Sequence, residues 1–244
     1  MKKKKITAVI LIFLIMLNCI PVYATEDTSS EQTSSGQEQP VKPPVAKKSL
    51  VKTGFIPANL SAPPEIVAEA GIVIDMTTGY TLYEKNIQQQ HYPASITKIM
   101  TAILSLENLK MEDVITFSHD AVYTIEPGSS SAYAEEGEQL TVEQCLYGLM
   151  LISGNDVANA LGEAVSGSMD AFAQKMTEKA VELGCIGTQF KNAHGLHDEG
   201  HYTTAYDMAV IASYAYTNFE AFRTLCATIR YDVPPTNLYN ETRY

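Results

Sequence analysis

The chain has 244 residues, with 17 Lys plus Arg against 28 Asp plus Glu and a formal net charge of −11. Its apolar fraction of 45% is that of an ordinary globular protein, which excludes wholesale disorder and a fibrous repeat. Outside the first five residues no Lys/Arg cluster exists, and no basic groove accompanies the tyrosines, so nucleic-acid binding is excluded as well.

Lys2 to Lys5 form a positive start, and Ile6 to Leu17 is apolar apart from Thr7. That run is too short for a comfortable membrane span. It leads into Val22-Tyr23-Ala24, a small-x-small cleavage site, so residues 1–24 read as an export signal. An uncleaved anchor is the competing reading. Residues 25–61 are rich in Ser, Thr, Gln, Glu and Pro, with too few large apolar side chains to offset ordering entropy, and read as a disordered linker. The folded part is expected from 62 to 244. After cleavage Cys145, Cys185 and Cys226 remain. An odd number closes no disulfide framework, and Cys145 and Cys226, within apolar helical patterns, are expected as buried free thiols.

Gly71-Ile72-Val73-Ile74-Asp75 and Tyr80-Thr81-Leu82-Tyr83 flank a Thr77-Thr78-Gly79 turn and predict a hairpin. Ser95 to Leu109 predicts a helix with Ile96, Ile99, Met100, Ile103 and Leu104 on one stripe. Thr141 and Gln144 form a capping box for a second helix, ending near Ser153-Gly154. Asp156 to Val165 predicts a third. Ser168 caps a fourth, which stops at Gly184, and Thr204 with Asp207 opens a fifth. Thr228 to Val233 reads as extended.

Ser95-Ile96-Thr97-Lys98 carries the clearest chemistry. Residues i and i+3 share a helix face, so the Ser95 hydroxyl and the Lys98 ammonium meet. A serine hydroxyl is a weak nucleophile until a base takes its proton, and a lysine serves when burial lowers its pKa. The bland alternative is an N-cap beside a solvated lysine. Ser153-Gly154-Asn155 sits in a tight link between two apolar helices. From there the hydroxyl can relay a proton, and the amide can hold Lys98 and a substrate peptide group.

Ser95-x-x-Lys98 followed by Ser153-Gly154-Asn155 resembles the exported penicillin-binding D-alanyl-D-alanine carboxypeptidases. Ile74-Asp75-Met76-Thr77-Thr78-Gly79, Tyr92-Pro93-Ala94-Ser95, Asn192-Ala193-His194-Gly195-Leu196 and His201-Tyr202-Thr203-Thr204-Ala205-Tyr206-Asp207 extend the resemblance over about residues 62 to 244. It implies a mixed α/β (α+β) fold of the serine β-lactamase and transpeptidase type, a mostly antiparallel sheet packed against a helical cluster. It implies Ser95 as the acylated nucleophile, Lys98 as its base, and Ser153 and Asn155 as the second catalytic element. The implied substrates are peptidoglycan stem peptides ending in D-Ala-D-Ala. The implied inhibitors are β-lactam antibiotics, bound covalently, and no cofactor is implied.

The family's third motif, Lys-Thr-Gly on a strand after the helical block, has no counterpart after Asn155, and neither does the family's C-terminal membrane anchor. The expectation is therefore a sheet left incomplete and a chain cut short at Tyr244, a fragment with poor turnover and marginal stability. Lys52-Thr53-Gly54 matches in spelling but lies ahead of the domain, in the wrong order. His194, His197, His201, Asp198 and Glu199 raise the question of a metal. Gly195 and Gly200 break the helical spacing a zinc protease needs, so a structured loop near the cleft is expected instead. Ser118-His119-Asp120 are too close in the chain to form a triad. A β-lactamase and a catalytically dead wall-binding protein remain as alternative functions.

Overall fold

The computed structural model describes residues 65–242. The expected signal and linker, the domain start at 62, and Lys52-Thr53-Gly54 lie outside the described residues. Strand β1 (Gly71–Ile74) pairs antiparallel with β2 (Thr81–Lys85), and the register shifts between Val73 and Ile74. The Asp75 carboxylate closes the turn through the Thr77 N–H and the Thr78 hydroxyl, and Gly79 takes a φ of 76°. The predicted hairpin is thus observed. β3 (Gln90–His91) leads into a 3₁₀ turn, Ala94–Thr97, and then helix α1 (Lys98–Asn108).

Ser95 therefore lies in a 3₁₀ turn rather than in the α-helix expected to begin there. Ala94 has a left-handed φ of 49°, which keeps the α-helix from starting earlier. Residues i and i+3 eclipse in a 3₁₀ turn, so Ser95 and Lys98 still share a side.

β4 (Val114–Thr116), the short α2 (His119–Tyr123) and β5 (Gln139–Thr141) follow, with β4 and β5 paired antiparallel. Ser118 caps α2 and donates to Glu163, while His119 pairs with Glu136, so these residues form no triad. Helix α3 (Val142–Leu151) starts at the predicted capping box, with the Thr141 and Gln144 side chains each bonded to the other's backbone N–H. α4 (Asn155–Ser166) and α5 (Met169–Glu182) follow, α5 capped by Ser168, and Gly184 just past its end takes a φ of 91°. β6 (Thr203–Thr204) pairs with β3, and α6 (Ala205–Asn218) is capped by Thr204 as expected. α7 (Glu220–Ala227) completes the helices. In the stretch predicted as extended, Thr228 has extended backbone and Val233 makes a single β-bridge, while Tyr231 stacks on Tyr147.

α1 is buried from Lys98 through Ser105 on every side, because α3, α4, α5 and α6 all pack on it. The single apolar stripe expected for it understates this. β1 lies against α6, and α4 sits centrally among α1, α2, α3 and α5. Cys145 is a buried free thiol as expected, whereas Cys226, expected to be buried as well, is exposed; Cys185 is also free and buried. α7 buries only Phe222 and Leu225, and the next position along, Cys226, lines a cavity instead of the core.

Candidate active site

α1 fixes Lys98 at 3% exposure, with its ammonium enclosed in the helical block. Lys98 Nζ donates to Asn155 Oδ1 at 2.7 Å and to the His194 carbonyl at 2.8 Å. Burial pulls its pKa down to about 8, against an opposing pull from the Asp156 carboxylate. Ser95, exposed on the turn before α1, Lys98 and Ser153 line one cavity of about 360 Å³, whose other walls include Ile99, Leu149, Tyr216 and Phe222. Cys226 reaches the same cavity. The structure thus brings the four predicted residues together: Ser95 from the 3₁₀ turn, Lys98 from the start of α1, Ser153 from the link between α3 and α4, and Asn155 from the start of α4.

Ser153 has a left-handed φ of 59°, and its Oγ is buried with no hydrogen-bond partner among the described residues. Strain and an unfilled polar atom both cost stability, and they concentrate where geometry serves a site. Asp156 holds this link in place. Its carboxylate accepts from the Ser131 hydroxyl and from the N–H groups of Ala132, Ala134 and Val157, while the Asn155 N–H donates to the Ser130 carbonyl. Such a buried carboxylate, fully hydrogen-bonded, is a rigid anchor.

The loop that carries the histidines packs against Lys98 and the turn that bears Ser95. Asn192 Oδ1 accepts from the N–H groups of His194 and Gly195, and the Leu196 N–H donates to His194 Nδ1. β3–β6 pairing ties the far end of this loop beside Tyr92-Pro93. The Thr101 hydroxyl donates to the Ala193 carbonyl, and Gly195, at a φ of 91°, packs directly on the Ala94 carbonyl. The histidines thus sit in an ordered loop against the Ser95 turn, as expected. Among the described residues no group of three or more His, Cys, Asp or Glu is placed to hold a metal.

Asp156, Thr97, Thr101, His201 and Gly195 were not read from the sequence as parts of the site. One signal was present: Thr97, Thr101 and Ser105 place polar residues at i, i+4 spacing on an otherwise apolar helix, and all three are fully buried.

Burial also lowers the pKa of His194 and of His201 to about 4 each. Lys98 and His201 add to the effect on His194, and Asp198 opposes it on His201. Both groups titrate near 6.5 when unfolded. Between about pH 6.5 and 4 the unfolded chain therefore binds two protons that the folded chain refuses, and stability falls as pH falls. The slope from this pair reaches about 2.7 kcal/mol per pH unit. Urea unfolding from pH 7 to 4 should show it, and a flat midpoint would contradict the burial of these rings.

The fold is that of the penicillin-binding DD-peptidases. It matches the Streptomyces K15 DD-transpeptidase with a TM-score of 0.68 at 35% identity, covering 73% of this chain and 72% of that one. It matches penicillin binding protein 6B from Escherichia coli with a TM-score of 0.65 at 32% identity, covering 70% and 56%. Residues 57–229 match the peptidase S11 family, D-alanyl-D-alanine carboxypeptidase, and the chain belongs to that family. The D-alanyl-D-alanine carboxypeptidase DacF of Bacillus subtilis (strain 168) is 44% identical over 150 residues, covering 59% of this chain. The chain spans 38% of the length of that relative.

Proposed function

We propose that this chain carries the acylation centre of a serine-type D-Ala-D-Ala carboxypeptidase that trims peptidoglycan stem peptides outside the cytoplasmic membrane. The observation that carries the reading is Lys98. It is a buried ammonium with pKa near 8, held by Asn155 and the His194 carbonyl, on the cavity that also receives Ser95 and Ser153.

In this mechanism neutral Lys98 takes the proton of Ser95 Oγ as that oxygen attacks the carbonyl carbon of the penultimate D-alanine. The tetrahedral intermediate collapses to an ester on Ser95. The proton passes through Ser153 Oγ to the nitrogen of the departing D-alanine. That buried hydroxyl has no competing partner among the described residues, so it is available as the relay. Asn155 holds the Lys98 ammonium and the substrate's peptide group. Water then attacks the ester and restores Ser95. A β-lactam ring presents the same amide carbonyl; opening it leaves an acyl group on Ser95 with no amine to depart. The polybasic, apolar start ending at Ala24 supports export, and residues 25–61 would tether the domain.

Incubation with benzylpenicillin should add one penicilloyl mass to the full chain, located by peptide mapping to the segment containing Ser95. An unmodified Ser95 peptide after prolonged exposure would overturn the assignment.

A further inference from the structure

The turn that bears Ser95 is held under strain from outside itself. Ala94 occupies the left-handed region at φ 49° without being glycine or asparagine, a strained conformation that persists only where neighbours enforce it. Neither the 3₁₀ turn nor α1 has a side-chain cap. Thr97 stands at the N-cap position of α1, yet its hydroxyl is not spent on the helix. It lies 2.8 Å from His201 Nε2, with Thr97 at 0% and His201 at 2% exposure.

The direction of that bond is fixed. The Lys191 N–H donates to His201 Nδ1 at 3.1 Å, so the proton of the neutral ring sits on Nε2 and is donated to Thr97 Oγ1. Phe190 packs edge-on against the ring at 5.5 Å between centroids, which sets its plane, and the backbone N–H of His201 donates to the Asp198 carbonyl. The low pKa of His201 agrees with a ring that stays neutral. Thr97 is one residue from Lys98 and two from Ser95. A displacement of its Oγ1 therefore moves both reacting side chains.

We propose that His201 is a positioning residue of the acylation site, its Nε2–H holding Thr97 Oγ1 so that the strained turn presents Ser95 and Lys98 to each other. The proposal rests on the acylation reading above. Its effect is on geometry alone: His201 exchanges no proton with substrate.

The test uses the two amides that imitate the two halves of the ring. In His201→Gln the amide nitrogen reaches the place of Nε2 and can still donate to Thr97. In His201→Asn the amide reaches only the place of Nδ1, keeping a partner for Lys191 and losing Thr97. Thr97→Val removes the same bond from the other side. Acylation by benzylpenicillin, thermal unfolding and amide exchange across residues 94–98 are measured on each full-length variant.

His201→Asn and Thr97→Val should each slow acylation about 10- to 100-fold and speed exchange across 94–98. His201→Gln should stay within about threefold of the parent. The double variant His201→Asn/Thr97→Val should be no slower than either single one, because both remove one bond. The proposal is overturned if His201→Asn acylates like the parent, if Gln and Asn lose equally, or if the two single losses multiply. Should His201→Asn fail to fold, Thr97→Val decides alone, and a parent-like rate there overturns the proposal. Should the parent itself take no penicillin, the acylation reading fails; the exchange rates then decide the clamp, with unchanged protection in His201→Asn overturning it.

Discussion

Replacing Lys98 with methionine is expected to slow acylation by benzylpenicillin about 100- to 10,000-fold, the range a positioned general base supplies, while Ser95→Ala removes the covalent adduct entirely. Methionine has a similar reach and no basic nitrogen. The parent's pH dependence carries the same information. Only neutral Lys98 can accept the Ser95 proton, and burial sets its pKa near 8. Acylation should rise about tenfold per pH unit up to about pH 8 and level off above it. A lowering of that size corresponds to ~3 kcal/mol of desolvation cost, which methionine relieves. Against this, Asn155 Oδ1 and the His194 carbonyl each lose a donor, at about 1–3 kcal/mol apiece. These contributions offset one another in part, so Lys98→Met should remain folded. A rate independent of pH from 6 to 9, or a Met variant that acylates normally, would remove Lys98 from the role of base.

Gly195→Ala is expected to be the most damaging single-methyl change in the loop. An added Cβ would fall 1.9 Å from the Ala94 carbonyl oxygen and 2.9 Å from Thr97 Oγ1, at a φ of 91° that disfavours any side chain. The conformational part costs roughly 1–2 kcal/mol and the overpacking roughly 1–3 kcal/mol more, since the obstructing atom is backbone. Gly184 supplies the control. It has the same φ with nothing within 4 Å of its added Cβ, so Gly184→Ala carries the conformational part alone. Urea unfolding should therefore separate the two variants by more than 1 kcal/mol, and acylation should fall only in Gly195→Ala. Equal losses in both would mean that Gly195 does not press on the Ser95 turn.

Local signals located most of the elements. The Thr141–Gln144 box, the Ser168 cap and the Thr204–Asp207 pair each mark a helix start through a bond made within three residues, so the sequence states them directly. Ser95, Lys98, Ser153 and Asn155 were singled out for a different reason: each short motif is ordinary alone, and only their order beside the other matching stretches resembles one family. What the sequence hid was held by distant partners. The start of α1 at Lys98 rather than Ser95 follows from a left-handed Ala94 under Gly195, a contact no local pattern encodes. Asp156 reads as an ordinary first-turn acid of α4, and only its bonds to residues 131–134 make it an anchor. His201 suggested metal chemistry by its company, whereas its two ring nitrogens are committed to Thr97 and Lys191. Cys226 was misplaced because an apolar helical pattern does not say which flank faces a cavity.

The Thr97–His201 and Lys98–Asn155 bonds join residues 104 and 57 positions apart. Loops of that size close late, after local helices have formed, because their entropy is recovered only when the far contacts are made. A growing chain with α1 and α3 in place would still lack the His194 carbonyl that holds Lys98 and the ring that holds Thr97. On the proposed reading, reactivity toward a β-lactam would therefore arise only at the end of folding, and a partly folded chain would pass through synthesis chemically silent.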